Sequence, residues 1–139
     1  MLFRKLIVSA ALAAAAAVPT ASYAAPIQKA PCILSEHKVI SVVPYTVDEH
    51  SGRNIYQRLR GVQVYLQAEP GMSREWLQLN LERHLAALRG PAAMPDCAFD
   101  IDNVRLDVTS AGSGYWVRLI APDTKSAEEV LRRAQLLVN

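Results

Sequence analysis

The side chains with chemistry to offer are two cysteines, Cys32 and Cys97, and three histidines, His37, His50 and His84. Together with Met72 and Met94 they are the soft and borderline donors that thiophilic metals select. Their spacing is loose. There is no His-x-His, no methionine repeat and no tight Cys/His motif, and the nearest to one is Met94-Pro95-Asp96-Cys97. A copper or zinc site built from these residues would draw on His37, Met94 and Cys97. The cysteines do not form a Cys-x-x-Cys redox pair. In an exported chain an even pair reads as a structural bridge, Cys32–Cys97, which removes the thiolates from metal chemistry. Closing so long a loop would add roughly 4 kcal/mol in the chain-entropy account.

Catalytic patterns are weaker still. No Gly-x-Ser-x-Gly, no His-Glu-x-x-His and no glycine-rich nucleotide loop occurs. His50-Ser51-Gly52-Arg53 sits where a loop is expected, and loops concentrate functional residues, but the four together are first a turn signal. The basic residues Arg53, Arg58 and Arg60 are offset by Asp48 and Glu49 and read as a solvated strand end.

The compartment follows from the N-terminus. Arg4 and Lys5 precede an apolar, alanine-rich run from Leu6 to Val18, and Ser22-Tyr23-Ala24 places small residues where a signal peptidase reads. Residues 1–24 are expected to be a secretory signal cleaved after Ala24, and the apolar run is too short for a good membrane span. The mature chain is then periplasmic or secreted, with no membrane attachment after cleavage. Removing Arg4 and Lys5 from 15 basic residues leaves 13 against 13 acidic ones, so the overall charge gives no reason to expect nucleic acid or an anionic surface as partner.

These residues must be positioned by a domain expected at 38–139, preceded by an arm at 25–37. The run 38–47 is β-branched, and Pro44 places it at a sheet edge; 48–54 reads as a turn or short loop. In 62–69, Val62, Val64, Leu66 and Ala68 alternate with Gln63, Tyr65, Gln67 and Glu69, and Gly61 marks a bulge. The stretch EPGMSREW at 69–76 raises the prospect of a strand-to-helix ligand loop. Its residues read instead as a helix start, with Ser73 as N-cap, Glu75 in the first turn and Met72 opposite Leu77 as a staple. The helix should run to about Arg89, burying Leu77, Leu81, Leu85 and Leu88 beside His84, with Trp76 and Leu79 on a second stripe. Residues 99–110 and 115–121 alternate as a hairpin, with Val104, Leu106 and Val108 inward, and a capping box from Ser126 to Glu129 opens the last helix.

The order β-β-α-β-β-α predicts an α+β two-layer sandwich, a four-stranded antiparallel-type sheet with two helices on one face. The expected strand order is 38–47, 62–69, 115–121, 101–109, a permuted ferredoxin-like layout. A Cys32–Cys97 bridge would lay the arm along the first helix, with Ile33 and Leu34 covering Trp76 and Leu79. Two helices leave one sheet face open, carrying Gln63, Tyr65, Gln67, Arg105, Asp107, Trp116, Arg118 and Ile120. Aromatic and arginine residues together are typical of recognition surfaces. The expectation is therefore a non-enzymatic binding or protein-interaction module, without cofactor, meeting a protein partner or a second copy through Tyr65, Gln67, Arg105, Trp116, Arg118 and Ile120. A periplasmic metal-binding protein is the second reading and a small hydrolytic enzyme the third.

Overall fold

The computed structural model describes residues 32–90 and 94–138. The signal segment 1–24 and most of the arm, residues 25–31, lie outside the described residues. The remainder of the arm is a single 3-10 turn, Ile33–Glu36.

Six further elements follow: β1 (Val39–Ser51), β2 (Asn54–Gln67), α1 (Arg74–Leu88), β3 (Arg105–Ala111), β4 (Gly114–Ile120) and α2 (Thr124–Gln135). They form one antiparallel sheet in the order β1-β2-β4-β3, the order expected from the sequence. β3 runs parallel to β2 with antiparallel β4 between them, so α1 is the crossover of a split β-α-β unit. Alternation sets which face is covered. Val62, Val64 and Leu66 on β2, Val108 on β3 and Val117 and Leu119 on β4 are buried in one core with Leu77, Leu81 and Leu88 of α1 and Ala127, Val130 and Ala134 of α2. Both helices therefore lie on the same face, α2 across β2 and α1 across β3. Among the described residues no helix is long and apolar enough to cross a membrane.

Local chemistry explains most boundaries. Ser73 caps α1, its side chain accepting from Trp76 N at 3.1 Å. On β2, Leu59 pairs with Thr46 and Gly61 with Tyr45, which leaves Arg60 as the extra residue of a bulge. Gly61 has φ 152°, and a Cβ there would run into the carbonyl of Leu119. On the outer strand β3, the amide of Val108 donates to Gln78 Oε1 of α1 at 2.9 Å, which occupies one donor of an open edge.

Five expectations need correction. The loop expected at 48–54 is continuous ladder: β1 and β2 pair down to Ser51 and Asn54 around a two-residue turn in which Gly52 takes φ 63°. Residues 99–104 are turns rather than strand; Asn103 has φ 59°, the left-handed conformation that interrupts extended chain, and Phe99 is buried in the core. Ala68 lies past the end of β2 and is exposed. The cap of α2 is Asp123, which accepts from the amide and hydroxyl of Ser126, so the helix starts before the box at Ser126. Finally, Leu34 does not cover Trp76 and Leu79. It enters the main core, while Trp76 and Leu79 stay 47% and 46% exposed.

Candidate functional site

Two places gather the residues singled out by the sequence. The first is the sheet face opposite the helices. Cross-strand registration lines up three rows there: Ser41, Tyr65, Trp116 and Thr109; Val43, Gln63, Arg118 and Asp107; and Tyr45, Gly61, Ile120 and Arg105. Tyr65, Arg105, Trp116, Arg118 and Ile120 thus share one face. Gln67 lies at its rim, paired with Gly114. Tyr65, Trp116, Arg118 and Ile120 are half-buried, and Gln67 and Arg105 are exposed.

The face is internally braced. The rings of Tyr65 and Trp116 meet with centroids 5.0 Å apart. Tyr65 OH donates to Ala111 O at 2.8 Å. That pose depends on Gly114, because a Cβ there would collide with the Tyr65 ring and with Leu66 O. Arg118 donates to Asp107 at 3.3 Å and lies 4.6 Å from the centroid of the Tyr45 ring. With the Gln63 amide turned so that its oxygen faces the guanidinium, Gln63 accepts from Arg118 Nε at 3.1 Å. Arg118 is therefore held over the sheet by one neighbour on each adjoining strand. Tyr45 was missing from the expected surface. The alternation around Pro44 holds the signal, but it can be phased only once the two-residue hairpin fixes β1 against β2.

The second place is the disulfide. Cys32 and Cys97 are bridged. Cys97 is 1% exposed and Cys32 half-buried. His84, from the penultimate turn of α1, brings Nε2 to 3.7 Å from Cys97 Sγ, and the two sulfurs and an imidazole nitrogen lie within 4.8 Å of one another. The His84 ring meets Phe99 edge-on at 5.7 Å. Burial lowers the His84 pKa, opposed by the charge of Glu36. The other residues of the expected metal set take different positions. His37 Nδ1 lies 3.4 Å from Glu69 and its ring stands edge-on to Trp76 at 6.4 Å. Met94 packs against the core, its backbone oxygen accepting from Cys97 N at 2.8 Å and its amide donating to Asp100. Of the three, only Cys97 belongs to the cluster, and the histidine beside it is His84.

His50, the histidine of the candidate catalytic loop, lies on β1 opposite Ile55, near the tip of the hairpin. No family model, curated protein or solved structure matches the chain.

Proposed function

We propose that this is an exported, non-enzymatic binding module that docks another polypeptide surface on its open sheet face. The observation that carries this reading is the braced cluster of Tyr45, Tyr65, Trp116 and Arg118, set on three adjacent cross-strand rows opposite both helices. Aromatic and arginine side chains dominate the energetics of protein interfaces, and those already fixed in place lose little conformational freedom on binding. The charge of Arg118 is largely balanced by Asp107, which favours a mixed apolar and amide surface over a polyanion.

The test pairs Trp116→Ala with Trp116→Ala/Arg118→Ala. Sedimentation equilibrium of the purified domain measures association with a second copy. A photo-reactive residue in place of Gln67 or Arg105, in the producing cell, reports any other polypeptide seated on the face. The expected result is a specific complex in the wild type that both variants lose while their far-UV circular dichroism is unchanged. Absence of any complex in the wild type, or its survival in the double variant, sinks the reading.

A further inference from the structure

We propose that Cys32, Cys97 and His84 form a binding site for a thiophilic d10 cation, Zn2+ or Cu+, which is closed while the cysteines are bridged and opens on reduction. It rests on a cluster separate from the sheet face and stands independently of the docking role.

The geometry is already close to that of a ligand set. With metal–sulfur bonds of about 2.3 Å and metal–nitrogen bonds of about 2.0–2.1 Å, tetrahedral sites place neighbouring donors roughly 3.5–3.8 Å apart. Nε2 of His84 stands 3.7 Å from Cys97 Sγ. The third donor, Cys32 Sγ, lies within 4.8 Å of both, and the two sulfurs separate once the bond between them is reduced. Three donors suit Cu+ and leave Zn2+ one position for water. Cys97 is buried, but Cys32 and His84 are both partly exposed, so a reductant and then a metal can approach from their side.

The donors are also held by contacts other than the bridge. Leu34 is fully buried two residues after Cys32, and Ser35 donates to Cys32 O through both its amide, at 2.8 Å, and its hydroxyl, at 2.6 Å. Arg133 of α2 donates to Cys97 O at 3.2 Å and Asp100 O at 2.8 Å. His84 is fixed within α1 against the buried ring of Phe99.

The chemistry balances with a dithiol as reductant. The dithiol delivers two electrons and two protons to the sulfur–sulfur bond and is itself left as a disulfide, yielding the Cys32 and Cys97 thiols. The cation then displaces both thiol protons and takes two thiolates and the Nε2 lone pair of His84.

The test uses the full mature chain, reduced with a phosphine under anaerobic conditions and titrated with Zn2+, and separately with Cu+, against a chromophoric chelator. Circular dichroism is followed throughout. One equivalent of either ion should bind to the reduced protein and none to the oxidised one. His84→Ala and the closer mimic His84→Gln should weaken binding by at least about tenfold, whereas His37→Ala should not. The proposal is overturned if the reduced protein takes neither ion, if both His84 variants bind as tightly as the wild type, or if binding occurs only in a chain that has lost its fold and does not regain it with metal.

Discussion

Gly61 shows how much a single residue can decide. It ends the bulge at Arg60 and lets the backbones of β2 and β4 meet where Gly61 pairs with Ile120. With φ at 152° and the Leu119 carbonyl in the space a Cβ would take, alanine has neither the conformation nor the room. Gly61→Ala is expected to cost about 3 kcal/mol, read from the urea unfolding midpoint at unchanged slope. A loss well below 1 kcal/mol would mean that the strands separate there without penalty. Tyr65→Phe probes the same sheet differently. It removes the hydrogen bond to Ala111 O while keeping the ring against Trp116, so about 1 kcal/mol of stability should go. Association through the face should survive. Loss of association in Tyr65→Phe would instead assign the hydroxyl to the partner.

At the scale of elements, α2 carries a clip. Glu129 accepts from Arg132 Nε and Nη2 at 2.8 and 2.7 Å and from Arg133 Nε at 2.7 Å. These bonds hold its pKa down at about 2. Arg133 in turn holds the carbonyls of Cys97 and Asp100. Because the folded pKa is depressed, the contribution of Glu129 is fully present above about pH 4.5 and is lost as pH falls through about 2. Glu129→Gln should flatten that acid limb in a plot of urea midpoint against pH, more visibly at low salt because its partner Arg132 is exposed. An unchanged limb would show that the clip adds nothing to the fold. The elements differ in how far the sequence reveals them. Alternation in Val62, Val64 and Leu66 and the staggered Leu77, Leu81 and Leu88 announce buried faces directly, because period and burial are local properties. The segment 99–104 alternates too, yet Asn103 turns left-handed and Arg133, more than thirty positions later, holds the loop. Which residues share the sheet face opposite the helices was legible from the same alternation. The placing of His84 beside Cys97 was not, since it depends on the register between α1 and a loop that the arm and α2 hold in place.

A bridge joins the first described residue to the loop beyond α1, across 65 positions of sequence. Closing a loop of that length stabilises the fold by about 4 kcal/mol in the chain-entropy account. Against the roughly 5–15 kcal/mol that separates most domains from unfolding, this is a large share but less than the whole. Replacing both cysteines with serine should therefore leave a folded domain that is less stable by about that amount. Such a variant also lacks two of the three proposed metal donors, so metal should not restore the loss, as it should in the reduced wild type. The loss should be unevenly distributed. β1 to β4 and both helices share a core in which Cys97 is one buried residue among many, whereas the arm before β1 enters that core mainly through Leu34. In hydrogen exchange under rising urea, the amides of Ser35 and His37, which bond Cys32 O and Leu34 O, should open in the serine variant before Val62 and Val64 of the central strand. In the bridged protein the arm cannot leave without the loop at Cys97, so the two sets should open together. Simultaneous opening in both proteins would place the arm inside the cooperative core and make the bridge a reinforcement of the whole fold instead of a tether for its first segment.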